Sequence, residues 1–395
     1  MNRRLIPLLV ASLGLLGACG SDSGTAGSSP TTGAGSDSTT ASSGTGSDST
    51  PAPSSTDADA AAAASSAPTG DHPTIRLLAW DGFVLPDSVA TFTERTGIAV
   101  ELATGGDAGT LVNKAILTAG APEGDVLWGL DNTLLSRALS GDADVFIPYE
   151  APGLDAVDPD VRGLVPGHEV TPVDTGDVCI NVDTAWFAAK GLTPPASFED
   201  LADPAYRDLL VVENPGTSSP GLAFLLATVG RFGADGFAAY WSSLTANGVS
   251  VVDGWEAAYY TEFTGGGGGG TRPIVVSYAS SPPAGVIFAP DPKPAAPTTA
   301  SVPGTCFRQI EFAGILRGTK HEDAARQLID FMLTDQFQAE LPMSNFVYPV
   351  RTGTALPELF QQFGAPSPEP VTLDPADIAA HRDDWVETWH TATLG

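Results

Sequence analysis

From Gly20 to Gly70 the chain uses only Gly, Ser, Asp, Thr, Ala and Pro, without one large apolar side chain. Such a stretch cannot bury enough surface to offset its ordering entropy, so it predicts a flexible tether and confines any hydrophobic core to the residues beyond it. As a Gly/Ser-like coil, its roughly 50 residues have a root-mean-square reach of about 40 Å. The chain is 395 residues long, so ample length remains after the tether for a sizeable core.

What precedes the tether reads as an address. Arg3 and Arg4 form a basic n-region, Leu5 to Leu16 an apolar h-region, and Gly17-Ala18 a small-residue cleavage site, a stretch too short to span a bilayer. Leu16-Gly17-Ala18-Cys19 also resembles a bacterial lipoprotein box, in which the cysteine is lipidated and becomes the mature N-terminus. The expected layout is therefore a signal peptide at 1–18, then Cys19 as lipid anchor with a tether over 19–71. A folded unit held outside the cytoplasm at the membrane surface begins at 72.

Charge narrows the partner classes. Eighteen Lys and Arg stand against 47 Asp and Glu, a formal charge of −29, which excludes the clustered cations that nucleic-acid binding requires and tolerates a cationic ligand. Only Arg3, Arg4 and five aspartates precede Asp71, so the acidity belongs to the folded part.

Two cysteines remain beyond Cys19. Cys179 and Cys306 in an oxidising compartment predict one disulfide, the alternative being that one of them is a nucleophile. Without CxxC spacing, and with five scattered histidines, they predict no metal site.

Strand and helix patterns alternate from residue 73 onward: Pro73 to Trp80 extended, Ser88 to Thr96 helical with Gly97 as its stop, Ile98 to Ala103 extended, Thr110 to Thr118 helical, Asp125 to Leu130 extended. This is an α/β pattern with a mostly parallel sheet, which places ligands at strand C-termini. Two longer extended runs follow, Val170 to Asp183 and Cys306 to Ile315, each carrying one cysteine. Between them Leu209 to Glu213, Gly221 to Phe232, Gly236 to Ala246 and Ile274 to Tyr278 read as a second α/β lobe inserted in the first. The six glycines of Gly265 to Gly270 precede a strand rather than a helix, which argues for a slack surface loop and against a phosphate cradle.

The sharpest local feature is Asn214-Pro215-Gly216-Thr217-Ser218-Ser219-Pro220-Gly221, which joins an apolar strand to an apolar helix. Hydroxyls ahead of Pro at a helix start either cap the helix or, with its free N–H groups, face an anion. Aromatics recur after strands at Trp80, Trp255, Tyr259, Tyr260, Tyr278, Phe346 and Tyr348, and can wall a flat cationic ring, while Asp81, Asp107 and Asp131 near strand ends supply an anionic counterpart. Tyr259-Tyr260 raises a ferric-ion alternative, but no recognisable ligand cluster accompanies it. Thr217-Ser218-Ser219-Pro220-Gly221 is not a nucleophile elbow, and no catalytic residue is assigned.

Seven stretches in order resemble the thiamine-binding substrate proteins of ABC importers: AWDGF (79–83), GDVLWGLDNTLL (124–135), NPGTSSPGLAFLL (214–226), VVDGWEAAY (251–259), VVSYASSP (275–282), SNFVYPV (344–350) and DPADIAAHRDDWVETW (374–389). The resemblance implies a two-lobe type II periplasmic-binding-protein fold, with lobe 1 from 72–172 and 316–395 and lobe 2 from 173–315. The two cysteine-bearing runs would be its hinge-crossing strands. It implies ligand contacts at Trp80, Asp81, Asp107, Ala108, Trp255, Tyr278, Ala279, Ser280, Ser281 and Phe346, and places Ser218 and Ser219 near the phosphate of a phosphorylated thiamine.

The same resemblance implies no cofactor besides the ligand, delivery to an ABC permease with a cytoplasmic ATPase, and a monomer. This chain departs from the family pattern at Phe346, where a Trp is usual, and at Ala284, where an aromatic is usual, which leaves open the choice among thiamine, its mono- and pyrophosphate and a related heterocycle. An enzyme alternative on the same fold is a thiaminase I-like transferase using Cys179. A ferric-ion or other small-ligand receptor is the remaining one.

Overall fold

The first strand-helix alternations have local causes. The Ser88–Thr96 helix ends where Gly97 takes φ 75° and returns its N–H to Thr93 O. The Ala108–Leu117 helix starts on the Asp107 side chain, which accepts from Gly109 N–H. Caps of this kind contribute about 1 kcal/mol each and set where each strand hands over to a helix. These elements come from a computed structural model that describes residues 73–139 and 143–395. The signal segment 1–18, Cys19 and the tether through residue 71 lie outside the described residues.

Eleven strands among the described residues form one hydrogen-bonded sheet. They are β1 (Thr74–Ala79), β2 (Ala99–Thr104), β3 (Val126–Asp131), β4 (Phe146–Ile147), β5 (Thr171–Asp183), β6 (Leu210–Glu213), β7 (Ser250–Val252), β8 (Ile274–Tyr278), β9 (Thr299–Ser301), β10 (Phe307–Leu316) and β11 (Tyr348–Pro349). The order is β2-β1-β3-β10-β5-β8-β6-β7, with β4 on β10 and both β9 and β11 on β5. Pairing is parallel within β2-β1-β3 and within β8-β6-β7, as the βα pattern predicts.

The long strands β5 and β10 join these two parallel sets. They pair antiparallel with each other from Phe307↔Val178 to Ala313↔Thr171. β3 uses the far end of β10, from Glu311 to Ile315, whereas β8 uses the far end of β5, from Val178 to Val182. Each long strand thus serves both halves, which is the crossing expected of the cysteine-bearing runs. Both ladders of β10 shift register between Glu311 and Ala313, a bulge at the crossing itself. The Cys179–Cys306 disulfide closes the β5–β10 pair on the side of the second half.

Separate apolar clusters fill the space between sheet and helices. One gathers Trp128, Phe92, Phe331 and Phe337 in the first half. Another gathers Phe224, Trp241 and Trp389, with Trp389 edge-on to Trp241 at 5.6 Å. Each fully buried ring of this size contributes about 2–3 kcal/mol. The Ser219–Phe232 helix is enclosed along most of its length, and no single helix among the described residues is long and apolar enough to cross a membrane.

Two expectations change. The C-terminal helix Pro375–Leu394 does not stay with the first half: it lies against Phe237–Ala246 of the second as well as Leu135–Leu139 of the first. Its apolar residues Ile378, Trp385 and Trp389 are buried in the same cluster as Trp241 of the second half and Leu135 of the first. The glycine run is not slack. A Cβ at Gly266 would fall 1.7 Å from Tyr259 O, one at Gly268 1.8 Å from Tyr260 O, and one at Gly270 2.2 Å from Glu262 O. Alternate glycines lie flush on the backbone of the π-helical turn Ala257–Glu262, which only residues without a Cβ can do.

Candidate ligand site

The site is built where the strands cross. In the ladder register, Glu311 on β10 has Asp131 of β3 on one side and Asp174 of β5 on the other, so three carboxylates stand in one row across three adjacent strands. The start of the Ser219–Phe232 helix meets this row. Ser219 Oγ donates to Asp131 Oδ2, and Gln309 Nε2 donates to both Asp131 Oδ2 and Ser219 Oγ at 2.6 Å. Asp107, the cap of the Ala108–Leu117 helix, accepts from Ser219 N–H at 3.2 and 3.3 Å. Residues of both halves and of a crossing strand therefore share one network.

No cation balances it. Among the described residues no Lys or Arg is ion-paired with Asp107, Asp131, Asp174, Glu213 or Glu311. Arg308, the basic residue on β10, pairs instead with the buried Asp177, which also accepts from Ser367 N–H. Glu213, fully buried at the end of β6, has no hydrogen-bond partner for either carboxyl oxygen, and Asp174 Oδ1 and Glu311 Oε2 are likewise buried and unpartnered. Glu311 as a residue is partly exposed, although its Oε2 is buried.

Ionising an isolated buried carboxylate costs several kcal/mol, so burial shifts such groups upward. Burial pushes Asp107 up to about 6 against the pull of the Ser219 and Gly109 N–H groups, with Asp131 adding to the rise. Burial also raises Glu213 well above the usual carboxylate range, and raises Glu311, where Asp174, Asp131 and Asp107 add to it. The Tyr278 phenol is raised well above its ordinary range, by burial first and then by Glu311, Asp107, Asp131 and Glu213. Its ring lies over Gly176, where a Cβ would come within 3.1 Å of it.

The other expected residues fall into distinct places. Ser218 caps the Ser219–Phe232 helix by accepting from Gly221 N–H, and Ala108 is buried in the first turn after Asp107. Trp255 Nε1 donates to Ser277 Oγ at 2.9 Å, Ser277 Oγ contacts Ser281 Oγ, and Ser281 Oγ accepts from Tyr278 N–H. That chain ties Trp255 to the β8 end. Trp80 stacks edge-on against Phe83 and Trp128, and Trp128 Nε1 donates to Asp174 Oδ2, which links the Trp80 aromatics to the carboxylate row.

Asp81 is exposed and tied to the loop before Asp107, pairing with Gly106 through both its N–H and its carboxylate. Ala279 and Ser280 are buried, Ala279 in the cluster around the disulfide. Phe346, in a left-handed conformation with φ 57°, packs on Phe288 and Phe360 beside that same cluster. The structure does not bring Asp81 or Phe346 into the carboxylate network. Asp174, Glu213, Gln309 and Glu311 were absent from the expected set. They are single acidic or amide residues inside strand patterns; the register of β3, β10 and β5 brings Asp174 and Glu311 into line with Asp131, while Glu213 ends β6.

Tyr259 and Tyr260 pack edge-on to one another at 5.5 Å. Tyr259 is buried and stacked on Trp255 at 4.9 Å, its phenol pushed up to about 12 by burial, and no group of three His, Cys, Asp or Glu that could hold a metal exists among the described residues. Cys179 is in the disulfide, so the nucleophile that an enzyme alternative needs is not a thiolate here. A surface cavity of about 410 Å³, lined by Pro73 and Lys320 to Ala324, lies at the other end of β3, where His321 contacts Asp125.

A family model described as bacterial extracellular solute-binding protein matches residues 125–370. The chain belongs to this family. As a solute-binding protein it acts outside the cytoplasm, and its fold is the type II periplasmic-binding-protein fold. It is 27% identical over 334 residues to the thiamine-binding periplasmic protein of Escherichia coli strain K12, covering 83% of this chain and 95% of that one. A solved structure described as a periplasmic thiamin binding protein superposes with a TM-score of 0.68 at 25% identity, covering 82% of this chain and 96% of the other. A ferric binding protein from Campylobacter jejuni shares the fold with a TM-score of 0.63 at 17% identity, covering 80% and 99%.

Proposed function

We propose that this solute-binding protein captures a thiamine-class cation between its two halves and delivers it to an ABC permease driven by a cytoplasmic ATPase, working as a monomer held at the membrane through lipidated Cys19. The observation that carries the reading is the uncompensated carboxylate row Asp131–Glu311–Asp174 meeting Asp107 and Tyr278 at the crossing strands. A thiazolium ring is flat and positively charged, and it suits carboxylates flanked by the faces of Trp and Tyr. The similarity to proteins named for thiamine binding supports the same ligand class.

The contact residues in this reading are Asp107, Ser219, Trp255, Tyr278 and Ser281, with Trp80 behind them. A thermal-shift comparison of thiamine with ferric citrate tests it. Thiamine at about 100 times its Kd should stabilise the protein by about 2.7 kcal/mol, with ferric citrate giving no shift. A shift with ferric citrate alone would replace the thiamine reading with the iron one. Mass measurement of membrane-extracted protein tests the anchor, the expected result being a diacylglyceryl adduct on Cys19.

A further inference from the structure

The glycine run and the tyrosine pair, which the carboxylate network does not use, belong to one device. Trp255 opens the short helical stretch that continues as the π-helical turn Ala257–Glu262, a rare geometry that is frequent at functional sites. Its ring stacks on Tyr259 at 4.9 Å, lies edge-on to Tyr260 at 5.3 Å, and bonds through Nε1 to Ser277 Oγ. Tyr259 is locked in turn, 5.5 Å from the Phe263 ring in an apolar cluster with Val211, Ala258 and Val275.

Gly266, Gly268 and Gly270 press on the carbonyls of Tyr259, Tyr260 and Glu262, whereas Gly267 and Gly269, at φ 83° and 80°, have open space where a Cβ would stand. Both ends of the run are tied. Thr264 N–H donates to Arg272 O, Arg272 N–H to Glu262 O, and Thr264 Oγ1 to Asp183 Oδ2. The Arg272 guanidinium donates to Leu210 O and Gly248 O, which fastens the far end to the second half.

We propose that Gly266, Gly268 and Gly270 are positioning residues for the ligand wall: they seat the Ala257–Glu262 turn so that Trp255 stands fixed at the site before a ligand arrives. This rests on the thiamine-class reading above, in which Trp255 is a contact residue. A Cβ does not come within 3.0 Å of another atom, so alanine at 266 or 268 must lift the run or push the turn by about 1 Å, beyond the ~0.5 Å within which a binding group has to be held. The stack of Tyr259 on Trp255 carries that shift to the site.

Titration of thiamine into the full chain carrying Gly266→Ala or Gly268→Ala, each alone and combined with Trp255→Ala, tests the proposal. Either glycine variant should bind about tenfold more weakly than the unaltered protein, yet cost less than about threefold when Trp255 is already gone, since a support then has nothing to place. Gly267→Asn, a residue that tolerates positive φ, should stay within about threefold of the unaltered protein. Unchanged affinity in both alanine variants, or an equal loss with and without Trp255, overturns the proposal. Absence of thiamine binding by the unaltered protein overturns the thiamine reading instead. Hydrogen exchange decides in that case, as it does should the variants fail to fold. In the unliganded chain the Ala257–Glu262 amides should exchange about 100-fold or more slowly than in a free peptide, and exchange at the free-peptide rate overturns the seat.

Discussion

Glu311 stands directly opposite Asp174 in the β5–β10 ladder, and the two carboxyls are raised by burial and, for Glu311, by its neighbour's charge. Like charges facing each other across a sheet destabilise it, so the pair is a cost to the unliganded fold. Binding a cation beside them would relieve it.

Glu311→Gln separates these effects. The variant keeps the shape and removes the charge, so thiamine affinity should fall by about tenfold or more while the melting temperature of the unliganded protein stays level or rises. A lower melting temperature with unchanged affinity would make Glu311 a structural residue only. Calorimetry and a thermal melt on the same preparation give both numbers.

Asp107 predicts opposite pH trends for stability and binding. Its folded-state value of about 6 lies above its ordinary one, so between pH 4 and 6 the folded chain holds a proton that the unfolded chain has released. Its contribution to the stability of the unliganded protein therefore declines as pH rises through that window. Affinity for a cation should move the other way, weakening about tenfold from pH 7 to pH 5 as Asp107 protonates. Titrations at pH 5, 6 and 7 read the slope, and a flat profile would remove Asp107 from contact with the ligand.

Trp255 is both packed and placed at the site. Its ring stacks on Tyr259 at 4.9 Å and its Nε1 holds Ser277, so Trp255→Ala should lower stability by about 1–2 kcal/mol as well as weakening thiamine binding about tenfold. Trp255→Phe should recover most of the stability and only part of the affinity. Denaturant melts alongside calorimetry distinguish a contact residue from a packing residue.

The Cys179–Cys306 bridge spans a sequence separation of 127 residues, for which loop-closure entropy gives an upper stabilisation of about 5 kcal/mol. Reduction, or the pair of Ser substitutions, should lower stability by about 2–4 kcal/mol and leave thiamine uncleaved. Alkylation of the folded, unreduced protein should leave Cys179 and Cys306 untouched. Thiamine turnover with an alkylatable Cys179 would point to the transferase instead.

Much of the architecture was readable in the chain, because its signals are local. Ser88–Thr96 was placed by its Gly97 stop, β8 by IVVSY, and the crossing strands by two long extended runs with one cysteine each. Trp80 does follow β1 and Ser218-Ser219 do follow β6, as loop chemistry at strand ends suggests, whereas Phe346 follows the Asp335–Asn345 helix and Tyr259 and Tyr260 lie in a helical turn. The carboxylate row was not, because Asp131, Asp174 and Glu311 are far apart in sequence and meet only through strand register and a bulge at Glu311 to Ala313. The glycine run misled for a related reason: composition shows freedom from side chains but not the backbone of Tyr259 to Glu262 lying against it.

Direct titration of thiamine into the unreduced full chain at pH 7.5 tests the central claim. One site per chain with a Kd of about 1 μM or tighter is the predicted result, corresponding to about 8 kcal/mol or more of binding free energy. No saturable heat up to millimolar thiamine would contradict it.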